Sequence, residues 1–338
     1  MGDDVITRAA ATNHAPLVSV VTPVYNGAAY LEECLESLLR QTYRHWECTV
    51  VDNASTDATP ELIDRFAGRD SRIRHARFDE FVTANENHNR AFRAVSPDSE
   101  YCKVLQADDW LFPECLERMV DVAERSSSIG IVSAYRLWGT VVDLTGLPYS
   151  QTIVGGREIL AQCLLQNIHV TGAPTALLYR SRLVRERDPF WESGFEHADT
   201  EAAYWVLSRH DFGFIHQVLT FARRQQPGSR MTEWADAMNT YIPENIRFLI
   251  RYGPDVLEPG VYRRQLRVEL RKYLSFHLRQ MPKPSRLADP RFFAVHRAEI
   301  EAILGEGGGD ADIHSTMLLV KTMLLRGWRT GRLRTAFP

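Results

Sequence analysis

Two adjacent carboxylates, Asp108 and Asp109, follow a short apolar stretch near the middle of the sequence. The stretch begins at Tyr101, and its apolar residues are typical of a buried strand. Because ligands bind beyond the carboxyl ends of the strands in open α/β sheets, the pair is predicted to face a cleft. Neighbouring carboxylates repel each other, and a divalent cation relieves that repulsion. The alternative is a surface pair that caps the next helix, which is the simpler interpretation of the pair alone.

The residues around this pair alternate between strand-like and helix-like patterns. Strands are predicted at residues 17–24, 46–51, 73–78, 101–107, 129–134, 173–179 and 214–221. Helical patterns between the earlier strands require right-handed crossovers and a Rossmann-like, mostly parallel α/β sheet with helices on both faces. No G-x-G-x-x-G follows the first strand, which disfavours a dinucleotide-binding domain. Residues 139–156 are rich in turn residues and predict an excursion or hairpin over the cleft.

The composition narrows the class of protein. A hydrophobic content of 44% and a charged content of 25% are ordinary for a globular protein. The net charge of -3 argues against broad electrostatic binding to nucleic acid. The five cysteines form no CxxC pair, which predicts reduced core residues in a cytoplasmic protein. No apolar run reaches the roughly 18 residues that span a bilayer.

Helical patterns dominate the last third of the chain. The sequence therefore predicts a disordered leader at residues 1–16, an α/β domain at 17–226 and a helical C-terminal region at 227–338. Cationic residues of that region are suited to peripheral contact with anionic lipid or a phosphorylated acceptor: Arg263, Arg264, Arg267, Arg271 and Lys272. A solvated helix face is the alternative.

Five short motifs occur in a characteristic order. They are Val20–Asn26, Leu38–Thr42, Val51–Asp57, Gln106–Asp109 and Ala198–Asp199. With these motifs, residues 17–225 resemble the family 2 glycosyltransferases, which have the GT-A fold. The resemblance implies a hexosyltransferase-type enzyme that moves a sugar from a nucleoside-diphosphate donor to an acceptor hydroxyl. It implies nothing about the chain beyond Gln226.

The resemblance assigns a role to each candidate residue. Asp108 and Asp109 would hold Mn²⁺ or Mg²⁺, which neutralises the departing diphosphate. Asp199, beside Glu196 and His197, would be the general base, and its alternative role is a helix N-terminal residue stabilised by the helix dipole. The residues implied for the nucleotide are Thr22, Pro23, Tyr25, Asp52, Asn53, Asn89, Gln106 and Asp108. Tyr25 could pack on the base, or be a plain loop aromatic.

Three departures from the family pattern bear on the site. The resemblance favours UDP as the donor carrier, but Asn53 replaces the second Asp of the nucleotide motif. Because its amide can both donate and accept, uracil is less firmly implied, and dTDP and GDP stay open. Gln106 replaces the first Asp of the DXD metal motif. Arg223-Arg224-Gln225-Gln226 stands where many relatives carry Arg-x-His, and either arginine could pair with the diphosphate.

The resulting prediction is a metal-dependent, inverting glycosyltransferase, cytoplasmic and open to membrane association. Three alternatives stand beside it: a retaining transferase on the same fold, a catalytically silent protein that binds nucleotide-sugars, and an interaction module built on the helical C-terminal region. Saccharide, glycolipid and small-molecule acceptors are all compatible with the sequence.

Overall fold

The structure of the chain is a computed structural model that describes residues 15–166, 168–223, 238–280 and 290–335, with the backbone alone at 280 and 327–335. Most of the predicted leader and the predicted boundary at residues 226 and 227 lie outside the described residues. The leader and the boundary therefore stay predictions.

A ten-stranded sheet forms the centre of the described structure. Its strands are β1 Val18–Val24, β2 Trp46–Asn53, β3 Ile73–Phe78, β4 Tyr101–Val104, β5 Trp110–Leu111, β6 Ile129–Trp138, β7 Val141–Asp143, β8 Ile153–Val154, β9 Leu178–Arg180 and β10 Asp211–Ala222. Their order is β3-β2-β1-β4-β9-β6-β10-β5, with β7 beside β6 and β8 beside β10. The long strands β1, β2, β3, β4, β6 and β10 run in one direction, because β9 is antiparallel to both β4 and β6. This arrangement confirms the predicted mostly parallel α/β sheet.

Helices cover both faces of the sheet. They are α1 Leu31–Leu39, α2 Thr59–Arg69, α3 Ala84–Arg93, α4 Cys115–Ala123, α5 Gly156–Leu164, α6 Ser181–Glu186 and α7 Ala198–Leu207. Apolar residues of α1, α2 and α4 pack in one core, and those of α3, α5 and α7 pack in another. Strand β1 contributes Val20 to the first core and Val21 to the second, as expected from the alternation of side chains along a strand.

The C-terminal region is helical as predicted. Its helices are α8 Tyr241–Val256, α9 Pro259–Gln280, α10 Pro290–Glu306 and α11 Ala311–Thr335. Ile246 and Phe248 of α8 belong to the same buried cluster as Val21 and Val51 of the sheet. The C-terminal helices therefore share a hydrophobic core with the α/β part of the chain. No helix within the described ranges is long and apolar enough to cross a membrane.

Two predicted strands are shorter than expected. Strand β4 ends at Val104, and the peptide N–H of Asp109 donates to the carbonyl of Gln106 at 3.0 Å, so both carboxylates lie in the turn before β5. The strand predicted at residues 173–179 begins instead as a 3-10 turn at Pro174–Ala176, and only β9 joins the sheet. A hairpin is present at the start of the segment 139–156, because β7 pairs antiparallel with β6, and the position of this segment over the cleft stays a prediction.

Gln41 holds the loop after β5 against the end of α1. The side chain is fully buried, donates to the carbonyl of Phe112 at 2.8 Å and accepts from the peptide N–H of Leu116 at 3.0 Å. We predict that Gln41→Ala lowers the free energy of unfolding by about 1–3 kcal/mol, because two buried backbone groups lose their partner. Denaturant titration measures the change. Gln217→Ala, at an exposed glutamine, should stay within about 0.5 kcal/mol of the parent protein. An equal effect of both substitutions would contradict the structural role of Gln41.

Candidate active site

The loops that follow β1 and β2 are joined by side-chain hydrogen bonds. The peptide N–H of Asn26 donates to Ser55 Oγ at 2.9 Å, and that of Thr56 donates to Asn26 Oδ1 at 2.8 Å. Asp57 accepts from the peptide N–H groups of Ala28 and Thr59 at 3.2 and 3.0 Å. Burial raises the pKa of Asp57, but the bond from the Thr59 hydroxyl, together with these two backbone bonds, holds that pKa below its usual value. These hydrogen bonds therefore join the loops of the first and third motifs to each other at the carboxyl edge of the sheet.

Asp52 and Thr22 lie at this edge, and both are fully buried. Asp52 Oδ1 accepts from the peptide N–H of Ser55 at 3.1 Å. Its Oδ2 has no hydrogen-bond partner among the described residues and lies 3.8 Å from Nε2 of His75. A buried carboxylate oxygen without a donor is a candidate acceptor for a ligand N–H.

Tyr25 lies beside Pro23 and Val24 at the end of β1 and is 45% exposed. Its ring centroid is 4.7 Å from that of Phe81, which is 57% exposed. The two rings form an exposed aromatic pair next to Asp52. Phe81 was not predicted, because it occurs in a stretch without any recognised motif.

Asn53 and Asn89 each hold a distant backbone segment. Asn53 donates to the carbonyl of Val82 at 2.9 Å and accepts from its peptide N–H at 3.0 Å. Asn89 makes the same pair of bonds with Trp191, both at 2.9 Å. Both side chains are buried, so the described contacts give them a positioning role, and their contact with a nucleotide stays a prediction.

Asp108 and Asp109 differ in their surroundings. Asp109 is only 6% exposed, and its Oδ2 accepts from the Thr175 hydroxyl at 2.6 Å. Burial, followed by the neighbouring charge of Asp108, raises the pKa of Asp109 to about 7. Asp108 is only partly buried. The surroundings of the pair therefore disfavour two negative charges unless a cation is present.

Lys103 contacts Thr175, the residue whose hydroxyl donates to Asp109. The lysine lies on β4, is fully buried, and its Nζ donates to the carbonyl of Thr175 at 2.6 Å. Burial lowers the pKa of Lys103. Thr175 thus joins the lysine to Asp109. The sequence does contain the signal for this contact, since a lysine within an apolar strand requires a buried partner.

The donor set at the pair suits a hard divalent cation. Among the residues described, no group of three or more His, Cys, Asp or Glu side chains could hold a metal alone. Mg²⁺ and Mn²⁺ bind through one or two carboxylates together with substrate phosphates, so Asp108 and Asp109 are a sufficient protein contribution. The raised pKa of Asp109 fits the same conclusion, because a cation offsets the cost of ionising a buried carboxyl group.

Helix α3 contacts both Gln106 and the loop that leads to Asp199. Nε2 of His88 is 3.1 Å from Oε1 of Gln106, its Nδ1 is 2.7 Å from the carbonyl of Ala84, and its ring stacks on Trp191 at 4.0 Å. Asn85 of the same helix donates to the carbonyl of Phe195 at 3.0 Å. Burial lowers the pKa of His88, and its contacts with Ala84 and Gln106, followed by the charge of Asp199, oppose that shift. His88 was not predicted as a site residue.

Asp199 is the second residue of α7 and is partly buried. Its Oδ1 accepts from the peptide N–H of Thr200 at 2.8 Å. This contact belongs to a helix N-terminus, where a carboxylate is stabilised by the helix dipole. The alternative role considered for Asp199 is thus compatible with its geometry, and both roles require the same ionised state.

Arg223 reaches the site from the end of β10. Its peptide N–H donates to Asp109 Oδ1 at 3.3 Å, and its guanidinium lies 4.5 Å from the ring centroid of Tyr30 and pairs with Glu33. Arg224, Gln225 and Gln226 lie outside the described residues. His216 bonds Tyr135 and the carbonyl of Gln151, each at 2.8 Å, and is a residue of β10.

Comparison with known sequences identifies the family. Residues 19–187, half of the chain's 338 residues, match the profile described as glycosyl transferase family 2. The chain belongs to this family. The putative teichuronic acid biosynthesis glycosyltransferase TuaG of Bacillus subtilis strain 168 is 33% identical over 171 residues, which are 51% of the family 2 chain and 65% of TuaG. The family 2 chain therefore spans less than two thirds of the length of this relative.

Solved structures share the fold. The complex of S. aureus TarS 1-349 with UDP-GlcNAc superposes with a TM-score of 0.61 at 16% identity, covering 93% of the family 2 chain and 90% of that chain. The mannosyltransferase PcManGT from Pyrobaculum calidifontis, in complex with GDP-Man and Mn²⁺, gives a TM-score of 0.54 at 17% identity, covering 96% and 88%. With the family assignment, these likenesses confirm the predicted GT-A fold.

Proposed function

We propose that the chain is a metal-dependent glycosyltransferase that moves a sugar from a nucleoside-diphosphate donor, with UDP favoured, to an acceptor hydroxyl with inversion. The observation that carries the proposal is that helix α3 contacts both the Asp108–Asp109 loop, through His88 and Gln106, and the loop before Asp199, through Asn85 and Phe195. Membership of the family and the related glycosyltransferases support it.

The carboxylate pair supports a cation at the diphosphate. Asp108 and Asp109 would hold Mn²⁺ or Mg²⁺, which would act as a Lewis acid on the diphosphate oxygens. Arg223 is the arginine proposed to pair with the diphosphate, because its peptide N–H already donates to Asp109. The Mn²⁺ bound with GDP-Man in PcManGT supports the same class of cofactor.

Asp199 is the proposed general base. The acceptor oxygen attacks the anomeric carbon as the bond from that carbon to the diphosphate oxygen breaks. The hydroxyl proton passes to the Asp199 carboxylate, and the electron pair of the broken bond leaves with the diphosphate. Attack opposite the leaving group inverts the configuration, and NMR of the product's anomeric proton distinguishes this outcome from a retaining transferase.

The donor base is proposed to bind between Asp52 and the aromatic pair Tyr25 and Phe81. Asp52 Oδ2 can accept the N3 hydrogen of uracil, and either ring can pack on the base. UDP-GlcNAc bound to TarS supports a uridine donor, while GDP-Man bound to PcManGT keeps guanosine open.

The acceptor is proposed to be a saccharide, a glycolipid or a small molecule. Peripheral membrane contact through the C-terminal helices is part of the proposal, although two of the five predicted cations are already paired. Arg267 pairs with Asp312 at 2.7 Å, and Lys272 pairs with Glu269 at 2.8 Å. Cosedimentation with anionic vesicles tests this contact.

A thermal-shift titration with UDP, dTDP and GDP, with and without Mn²⁺, tests the donor class. We predict a metal-dependent rise in the unfolding midpoint with UDP, because a ligand at about 100 times its Kd stabilises the native state by about 2.7 kcal/mol. NAD is the control nucleotide and should give no shift. If no nucleoside diphosphate raises the midpoint, the proposed function is wrong. Donor binding without transfer or donor hydrolysis would favour the catalytically silent alternative.

A further inference from the structure

Glu244 of α8 contacts the loop that precedes α7. Its carboxylate is fully buried and accepts from two successive peptide N–H groups, that of Glu196 and, at 3.0 Å, that of His197. Asp199 follows two residues after His197. One buried carboxylate from the C-terminal region thus binds the backbone immediately before the proposed base.

The other residues of this loop, Gly194, Phe195 and His197, contact α8 or Thr240, the residue that precedes α8. Arg247 Nη1 donates to the carbonyl of Gly194 at 2.6 Å and its guanidinium lies 3.7 Å from the ring centroid of Phe195. The ring of His197 stacks on Tyr241 at 3.9 Å, and its Nε2 is 3.0 Å from Thr240 Oγ1. Each residue from Gly194 to His197 therefore contacts α8 or Thr240.

A carboxylate is the side chain that this geometry requires. The peptide N–H groups of Glu196 and His197 each need an acceptor, and an ionised carboxylate presents one oxygen to each of them. A glutamine presents only one oxygen, and its NH₂ group would face the second N–H. Burial and the neighbouring Glu299 raise the pKa of Glu244 to about 8, while the two backbone donors and Arg247 lower it. A buried acid is thus retained at this position despite the cost of its burial. The kinetic comparison of Glu244 variants is therefore made at about pH 9, where the carboxylate is ionised and can accept both bonds.

We propose that Glu244 is a positioning residue for Asp199, so that the C-terminal helical region sets the geometry of the base in the α/β domain. The inference rests on the proposed function of Asp199. It assigns the C-terminal region a part in catalysis, in addition to its shared hydrophobic core.

The test compares Glu244→Gln with Tyr252→Phe. Tyr252 lies on the same helix and donates a buried hydrogen bond to Glu201 Oε1 at 2.6 Å. Tyr252→Phe removes this bond but leaves the contacts of residues 194–197 in place. We expect Glu244→Gln to lower kcat by about 10- to 100-fold with the donor Kd unchanged, because a displacement of about 1 Å at the chemistry has that effect. Tyr252→Phe should change kcat by less than about threefold, well below the effect of a misplaced catalytic group.

Two further measurements separate positioning from general destabilisation. Hydrogen exchange should show faster exchange of the Glu196 and His197 amides in Glu244→Gln, and parental rates in Tyr252→Phe. In an Asp199→Asn background, Glu244→Gln should cause no further loss of residual turnover, because its effect passes through the missing base. Multiplicative losses, or a Glu244→Gln variant with parental kcat, would overturn the inference.

Failure of this inference and failure of the proposed function are distinguishable. A parent protein that neither binds nucleoside diphosphate nor transfers sugar overturns the proposed function. A parent protein that transfers sugar, beside a Glu244→Gln variant that transfers it equally well, overturns only the role of Glu244. The amide-exchange result reports on the backbone contact in either case.

Discussion

Asp199→Asn is expected to lower kcat by about 10²- to 10⁴-fold, the range that removal of a general base produces. The substitution keeps the size of the side chain and the oxygen that accepts from Thr200, but it removes the basic carboxylate. The donor Kd should not change, because the acceptor hydroxyl is the group that this carboxylate is proposed to contact. Steady-state kinetics combined with calorimetric donor binding measures both quantities.

Glu196→Gln is the matched control for this prediction. Glu196 is a partly buried carboxylate in the same loop, and burial raises its pKa. Its backbone, rather than its side chain, is bound by Glu244. We expect turnover within about threefold of the parent, since the carboxylate has no assigned proton-transfer role. An Asp199→Asn variant with parental kcat would show that another group takes the proton.

The second large effect is expected from Asp109→Asn. The asparagine oxygen can still accept from Thr175, but the charge that is proposed to bind the cation is lost. We expect Mn²⁺-dependent donor binding to weaken by at least about 100-fold and kcat to fall by a similar factor, as for other lost electrostatic contacts to a leaving group. Titration of Mn²⁺ in the presence of UDP measures the first effect.

Glu114→Gln is the control for a nonspecific loss of charge. Glu114 lies just after β5, is exposed and pairs with Arg118 at 3.3 Å. Donor binding and metal affinity should be unchanged in this variant. If Glu114→Gln and Asp109→Asn weakened donor binding and metal affinity equally, Asp109 would contribute only through the overall electrostatic potential of the protein.

Metal affinity is expected to depend on pH. The pKa of Asp109 is raised to about 7 in the metal-free protein, so the carboxyl group is protonated below that pH and the cation must displace a proton. Affinity for Mn²⁺ should therefore rise by about tenfold per pH unit up to pH 7 and level off above it. Affinity that is constant between pH 5.5 and pH 8 would contradict this assignment.

Local sequence patterns were sufficient to predict the class of fold, which the structure confirms, and the edge of the sheet at which the site is proposed. Alternating strand and helix periodicities require a parallel sheet, and motif residues at strand ends such as Asp52 and Asp109 must then meet at one edge. These are local signals, because periodicity depends on near neighbours in the chain. The same local patterns predicted the helical character of the C-terminal region.

The contacts that hold the candidate site residues in place depend on the tertiary structure. Asn53 and Val82 are separated by 29 positions, Asn89 and Trp191 by 102, and Glu244 and His197 by 47. No local propensity encodes such pairs, because a hydrogen-bond partner is selected by the packing of whole elements. For this reason the backbone partners of Asn53 and Asn89 were not predicted, and the nucleotide contacts that the resemblance implied for both residues stay a prediction. The contact of Glu244 with the loop before Asp199 carried no sequence signal at all.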